Sequence, residues 1–456
     1  MIAMTLTEIA PLLGGELLGK DIPITSVSTD SRQQIPGALF IALQGARFDG
    51  HDFVLSAQQQ GAVGALVSRP LAGNLPQLRV VDTRLALGRL GAAWRARFKK
   101  PLIALTGSNG KTTVKEMLAA ILRVKGRVLA TSGNLNNDIG VPLTLLKLGD
   151  EDYAVIEMGA NHAGEIAYLT GLAQPDVALI TNAGPAHLEG FGDLGGVAQA
   201  KGEIYSGLGP DGVVVINRDD VYADYWCSLV GQRRRIDFAL EHPAQVSGRV
   251  VEESRNRFRL SAFEQQVVIE LPLPGRHNLR NALAAAAASL AVGASLDDIR
   301  CGLESLRTVK GRLQRLPGLN GSTVIHDAYN ANPASLAAAL NTLSAEGGVN
   351  WLVLGDMAEL GARSGELHEQ AGRQARAAGF QRCYALGEQS RRAVLAFGQG
   401  GVHCETAEAL AQLLQAAIVA TPAKPTLLVK GSRSMRMERI VQALTVDPAA
   451  VQGVPA

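Results

Sequence analysis

Lys111, Thr112 and Thr113 follow directly on Gly107-Ser108-Asn109-Gly110, and an apolar run, Leu102-Ile-Ala-Leu-Thr106, leads into them. Glycines let successive backbone N–H groups converge on phosphate oxygens, and the start of a helix adds partial positive charge. The pattern predicts a loop in which Gly107, Ser108, Asn109, Gly110, Lys111, Thr112 and Thr113 hold the phosphates of ATP. Lys111 would sit between the β- and γ-phosphates, and the Thr112 hydroxyl would face Mg²⁺. Leu105 stands where the full phosphate-loop pattern has its first glycine, so this loop is a variant. A glycine-rich turn alone need bind nothing; Lys-Thr-Thr directly after the second glycine is what gives this one its chemistry.

A phosphate loop says only that a nucleotide binds and that a phosphoryl group can move. The neighbouring acid and imidazole groups say more. Glu157 ends the run Tyr153-Ala-Val-Ile-Glu157, and His187 follows Asp176-Val-Ala-Leu-Ile-Thr-Asn182 after a short turn. In open α/β sheets, ligands gather at the carboxyl ends of the strands. Glu157 is therefore placed as a Mg²⁺ ligand, and His187, at the same rim, as a metal or phosphate group. Magnesium prefers oxygen, so a histidine there would mark a specialised site.

Such groups need a sheet beneath them. Short apolar runs at Leu102–Thr106, Tyr153–Glu157, Val177–Thr181, Val213–Asn217, Thr323–His326, Leu352–Leu354, Tyr384–Leu386 and Leu427–Val429 alternate with Ala/Leu-rich segments of helical spacing. One of these carries Val114, Met117, Leu118, Ile121 and Leu122, with Gly126 expected as its C-cap. Strands that are apolar throughout and alternate with helices indicate α/β domains with parallel sheets covered on both faces. Residues 238 to 274 alternate instead like antiparallel strands. Breaks at Arg84–Lys100 and at Lys310–Gly321 divide the chain into an α+β module (1–84), a central α/β domain (85–314) and a C-terminal α/β domain (315–456).

Composition narrows the classes. A chain of 456 residues exceeds what one core supports. Aromatics at 4% leave little for base stacking, and a net charge of +2 without long basic runs gives no track for nucleic acid. Arg233-Arg234-Arg235 is expected on a solvated strand edge. Cys227, Cys301, Cys383 and Cys404 show no CxxC pairing and are expected to be inert thiols in a reducing compartment. Thr5 and Glu8 form a capping-box pattern opening a helix with Ile9, Leu12 and Leu13 on one face, where a targeting segment would need a basic region and an apolar stretch. Ala282–Gly293, mainly alanine, is too short for a bilayer and is expected as a packed internal helix. The expectation is a cytoplasmic, monomeric protein without membrane insertion.

These motifs, in this order, resemble the Mur ligases over essentially the whole chain. Thr106-Gly-Ser-Asn-Gly-Lys-Thr-Thr113 is similar to the family's ATP loop. Glu157-Met-Gly-Ala and Thr181-Asn-Ala-Gly-Pro-Ala-His187-Leu-Glu are similar to its metal-binding strand ends. The resemblance implies further roles: Lys201 as a carbamylated lysine, Asn278 near the adenine, Arg312 at a hinge, and Asp327 and Asn330 in a C-terminal loop that reaches the nucleotide. It also implies a uridine-nucleotide module carrying Ser28, Asp30, Ser31, Arg32, Gln44, Gly45, Asp49 and His51.

Within the family, no Asp-Asn-Pro-Arg motif of the diamino-acid-adding enzyme occurs. Asn134, Asn137, Asp356, Lys430, Ser432 and Arg433 lie in segments that look like the member adding D-alanyl-D-alanine to UDP-N-acetylmuramoyl-tripeptide, and are expected at its substrates. The implied chemistry is ATP-dependent amide formation through an acyl phosphate. Lys111, Glu157, His187 and Lys201 would be catalytic. Two Mg²⁺ ions would be held, one by Thr112 and Glu157, the other by His187 and Lys201. The diamino-acid-adding ligase and folylpolyglutamate synthase stand as alternatives within the fold; a phosphate-loop kinase or switch stands outside it.

Overall fold

A computed structural model describes residues 3–45, 48–185, 188–252, 255–307 and 311–447. The chain builds three principal sheets of five, nine and six strands, in that order along the sequence.

The N-terminal sheet runs Glu16–Leu18, Gln77–Arg79, Gly64–Val67, Ala38–Ile41 and Ser26–Ser28, parallel except for its first pair. Helix Leu6–Leu13 is opened by the Thr5/Glu8 capping box, but it buries Leu6, Ile9 and Leu13 and leaves Leu12 outside. Leu12 departs from expectation because Leu6, closer in angle to Ile9 and Leu13, takes the inner face. Helix Thr83–Arg95 places Ala86, Leu87 and Leu90 in this core, while Gly88 and Gly91 on the same helix meet Tyr168 and Pro142 of the central unit.

The central sheet contains, side by side, Val213–Asn217, Val177–Ile180, Leu102–Thr106, Tyr153–Glu157 and Val128–Ala130, all parallel. Side chains alternate across it as strand geometry demands. Ile103 and Leu105 pack beneath helices Lys111–Arg123 and Arg276–Ala291; Leu102 and Ala104 face the opposite core with Ile166 and Trp226. The alanines from Ala282 to Ala288 are all buried, which lets that helix lie close against Lys111–Arg123. Beyond Arg235–Ala239 the sheet continues as an antiparallel appendage, Val246–Glu252, Arg257–Ala262 and Gln265–Glu270. The C-cap of Lys111–Arg123 is Val124, not Gly126: Gly126 has no positive φ, although its N–H still donates to the Leu122 carbonyl at 3.0 Å.

The C-terminal sheet is parallel apart from Gln314–Pro317, which pairs antiparallel with Thr323–Asp327; Thr426–Lys430, Asn350–Gly355, Arg382–Leu386 and Gly401–Cys404 complete it. Both faces carry helices, Pro333–Glu346 and Ser364–Ala377 on one and Ala407–Ala420 and Glu438–Leu444 on the other. No helix among the described residues is long and apolar enough to cross a membrane.

Candidate active site

Register places the chemistry. Glu157 lies opposite Leu105, and Ile180 opposite Thr106, so three adjacent parallel strands end at one rim. The chain reverses its direction of strand addition here, the position at which open sheets bind ligands. The loop Gly107–Gly110 rises from the middle strand and helix Lys111–Arg123 starts directly after it.

The turn is clamped from the neighbouring strand end. Thr181 Oγ1 and Asn182 Nδ2 donate to the Asn109 carbonyl at 2.6 and 3.1 Å, and Asn109 N donates to Asn182 Oδ1 at 3.0 Å. Both glycines are sterically required. A Cβ on Gly107 (φ 147°) would lie 1.9 Å from Thr181 Oγ1, and one on Gly110 (φ 81°) 2.4 Å from Asn281 Oδ1. Lys111 Nζ donates to Gly107 O at 2.6 Å. Burial lowers the Lys111 ammonium below the usual lysine range; the Glu157 carboxylate opposes that shift and Arg312 adds to it.

Glu157 is 1% exposed. Its backbone N donates to Thr131 Oγ1 at 2.9 Å, and its Oε1 accepts from Asn136 Nδ2 at 2.8 Å. Its Oε2 is buried and finds no protein hydrogen-bond donor. A buried carboxylate oxygen left bare is costly, and a divalent cation is the group that would satisfy it. Among the described residues no three His, Cys, Asp or Glu side chains could hold a metal together. Mg²⁺, which takes few protein oxygens and completes its shell from phosphate and water, fits a single bare carboxylate oxygen at such a rim.

The C-terminal unit and the segment that leads into it both reach this rim. Arg312 Nη2 donates to Thr112 Oγ1 at 3.0 Å, and Asn332 Nδ2 donates to Asn109 Oδ1 at 2.7 Å. The Tyr329 ring lies under the Arg312 guanidinium at 4.4 Å. Burial, and then the Glu157 charge, raise its phenol above the usual range. Together the two units enclose a cleft of about 820 Å³. Ser108 to Thr113, Asn134, Asn137, Glu157, Asn278, Arg312, Asp327, Asn330, Lys430 and Arg433 all line it.

Other predicted residues are placed differently. His187 lies outside the described residues. Lys201 is 1% exposed and does not line the cleft; its Nζ stands 5.4 Å from the Phe191 ring centroid. Burial, with the Lys111 cation adding, brings its amine down to about 7. Asp327 and Lys430 meet each other, in a buried ion pair of 2.6 Å, so neither arrives at the cleft as a free charge. Asp356 and Ser432 leave the cleft altogether. Asp356 accepts from Ser390 N at 2.7 Å to start the helix Ser390–Phe397, and Ser432 Oγ accepts from Ala358 N at 2.7 Å. Local backbone donors claim both side chains.

The predicted uridine residues lie at the end of strand Ser26–Ser28 and in the two loops that follow it and the adjacent strand Ala38–Ile41 of the N-terminal sheet, away from the cleft. Arg32 donates to Asp30 at 2.8 and 2.9 Å, Ser28 Oγ accepts from Asp30 N at 3.1 Å, and Ser31 lies between. Gln44 bridges to Asp49, and Gly45 N donates to Phe48 O at 3.0 Å. The Asp49 carboxylate is held far below the usual range by the His51 amide, with Arg69 and the His51 ring adding. His51 is buried, its Nδ1 at 2.5 Å from Asp49 and its Nε2 accepting from Ser68 N at 2.9 Å. With both nitrogens engaged, His51 braces the loop and has no ring nitrogen left to meet a ligand.

Three residues went unselected in the sequence: Asn136, Tyr329 and Asn332. Asn136 stands inside Asn134-Leu-Asn136-Asn137, a density of side-chain amides that is the available signal; Tyr329 and Asn332 stand beside Asn330 in the C-terminal loop.

Three α/β units, with a phosphate-loop cleft between the central and C-terminal ones, have the organisation of an ATP-dependent ligase that activates an acid for attack by an amine. Family models for the Mur ligase family, catalytic domain (residues 23–95), the Mur ligase middle domain (105–289) and the Mur ligase, glutamate ligase domain (311–433) match in that order. The chain belongs to the Mur ligase family. It is 49% identical over 448 residues to the UDP-N-acetylmuramoyl-tripeptide--D-alanyl-D-alanine ligase of Escherichia coli (strain K12), covering 97% of this chain and 99% of that one. The structure of UDP-N-acetylmuramoylalanyl-D-glutamyl-2,6-diaminopimelate--D-alanyl-D-alanyl ligase from Acinetobacter baumannii superposes with a TM-score of 0.87 at 37% identity, covering 97% and 98%. The MurF ligase from Thermotoga maritima in complex with ADP superposes at 0.79 with 26% identity, covering 92% and 96%.

Proposed function

We propose that this protein joins D-alanyl-D-alanine to a UDP-N-acetylmuramoyl-tripeptide whose third residue is a diamino acid, converting ATP to ADP and phosphate. The observation that carries the chemistry is the bare, buried Oε2 of Glu157 at the rim from which the phosphate loop rises.

The terminal carboxylate of the tripeptide attacks the γ-phosphate of ATP and expels ADP. The amine of the dipeptide then attacks the resulting acyl phosphate, and inorganic phosphate leaves. A carboxylate and a triphosphate repel each other, so the first requirement is fixed positive charge. Lys111, the loop N–H groups and the start of helix Lys111–Arg123 supply it from this chain. Mg²⁺, held by Thr112 and Glu157, would supply further charge between the phosphates and the attacking acid. Asn136 keeps the Glu157 carboxylate pointed into the cleft.

Lys201 is proposed to serve as a carbamate. Carbamylation is the addition of dissolved CO₂ to an unprotonated amine, forming an N–C bond and releasing a proton to water, and an amine brought down to about 7 is substantially unprotonated at neutral pH. The product is an oxygen ligand suited to a second Mg²⁺, for which His187 is the proposed partner. The contact from Asn332 to the loop, with that of Arg312 in the connecting segment, holds the C-terminal unit over the reacting atoms, which limits hydrolysis of the acyl phosphate. Asn278 is proposed to contact the adenine, and the Asp30 and Asp49 loops the uridine nucleotide. We propose the domains as 1–84, 85–314 and 315–456, and the protein as cytoplasmic and monomeric.

ADP formation by the purified protein, measured across UDP-muramoyl peptides of different length with and without D-alanyl-D-alanine, tests this. Turnover should require the tripeptide and the dipeptide together. Equal ADP formation without an acceptor would point to a kinase or switch, and preference for a single amino acid would point to another ligase of the family.

A further inference from the structure

A second cavity, of about 320 Å³, adjoins the reaction cleft on the side of the N-terminal unit. Asn137, Gly159 and Glu165 line both spaces, and Gly159 stands only two residues beyond Glu157. The wall between them is the loop that also carries Asn136, whose amide holds Glu157. An extended substrate whose acid lies at Glu157 thus has this cavity as an immediate neighbour.

The charges lining it are unexpected for an anionic substrate. Asp82, Asp138 and Glu165 are acidic, and Arg84 is the one cation. Arg84 Nη2 donates to Asp138 Oδ1 at 2.8 Å and Nε donates to Oδ2, a two-pronged pair that ties helix Thr83–Arg95 to the dividing loop. Leu85, Leu169 and the Tyr168 ring supply apolar wall. The Tyr168 hydroxyl is packed against Gly88 of the same helix, where a Cβ would come within 2.1 Å of it. Arg84 offsets Asp138, and the Asp82 and Glu165 carboxylates, each also accepting a backbone N–H, leave the cavity net acidic. A nucleotide-linked peptide with several carboxylates would be repelled there unless one of its own groups is a cation.

We infer that this cavity is the subsite for the side chain of the tripeptide's third residue, with Asp82 and Glu165 receiving its terminal ammonium and Arg84 an adjoining carboxylate. The methylenes lie on Tyr168 and Leu169. Both signs of charge in one pocket select a zwitterionic side-chain end, as in 2,6-diaminopimelate, over an ammonium alone or an uncharged chain. The inference rests on the proposed ligation of a tripeptide and adds where its third residue is read.

Three UDP-muramoyl-tripeptides differing only at that residue test it: diaminopimelate, lysine and norleucine, with kcat/KM measured at saturating ATP and D-alanyl-D-alanine. The native protein should favour diaminopimelate over norleucine by at least roughly tenfold. Asp82→Asn retains an N-cap, since asparagine caps as well as aspartate, and leaves the helix start intact. It should narrow the preference for both ammonium-bearing peptides over norleucine by roughly tenfold while leaving the norleucine peptide unaffected. Arg84→Gln should narrow the gap between diaminopimelate and lysine alone. Variants that keep native ratios, or that lower all three substrates equally, would overturn the subsite while leaving the ligase intact. A native protein that ligates none of the three would overturn the proposed function itself.

Discussion

Replacing Glu157 by glutamine separates a carboxylate placed for function from one placed for folding. In the native side chain, Oε1 accepts from Asn136 at 2.8 Å and Oε2 has no protein donor, both within a residue 1% exposed. A buried polar group left unsatisfied costs about 1–3 kcal/mol, and more when charged. Glutamine keeps the Oε1 acceptor and replaces the bare anionic oxygen by a neutral amide. Against that gain stands the lost attraction to the Lys111 ammonium. The two nearly offset, so the unliganded variant should unfold within about 1 kcal/mol of the native protein, on the more stable side. Turnover should behave oppositely. Loss of one preorganised charge at the phosphates costs roughly 10²–10³ in kcat, and the Mg²⁺ concentration for half-activity should rise. Denaturant unfolding without ligands and phosphate release across a Mg²⁺ titration measure the two sides. Native turnover with unchanged Mg²⁺ dependence would refute the metal assignment. A loss of several kcal/mol in stability would show that the carboxylate holds the fold.

Lys111→Ala should remove ligation by at least about 10²-fold with little change in unfolding, because the ammonium's hydrogen bond goes to its own loop carbonyl at Gly107; steady-state assay and circular dichroism check both halves. Asn136→Ala should lower kcat by roughly tenfold or more with KM for the dipeptide unchanged, since it frees Glu157 without touching the acceptor, as initial-rate kinetics would reveal. His277 lies in the cleft wall, and burial brings its imidazole down to about 4. The unfolded chain then takes up a proton near pH 6.5 that the folded chain refuses until about 4. This group's contribution therefore favours folding above 6.5 and is lost as pH falls toward 4, by on the order of 2–3 kcal/mol. His277→Gln should flatten that part of the stability–pH curve measured by denaturant titration.

Much of the scaffold was legible because its signals are local. Apolar runs such as Leu102–Thr106 and Tyr153–Glu157 are strands buried on both faces, and their alternation with helices fixes a parallel, doubly covered sheet. Gly107, Gly110 and Lys111 also declare themselves, because backbone convergence on phosphate needs those residue types at that spacing. Short strands such as Glu16–Leu18 and Val128–Ala130 carry too few residues for a pattern and went unmarked.

Chain order alone determined which motifs exist and the ligase class they resemble. Tertiary structure decided which side chains remain free to act, because hydrogen-bond partners are chosen by proximity in space. Asp327 and Lys430, 103 residues apart, neutralise each other; Asp356 starts a helix; His51 braces a loop; and Glu157 keeps a buried oxygen bare at the rim. Asn136 became part of the site only when folding brought it to Glu157, and Arg312, marked in the sequence by resemblance alone, found its partner Thr112 the same way. Periodicity records burial, but the partner of a polar group is a long-range fact that no local pattern encodes.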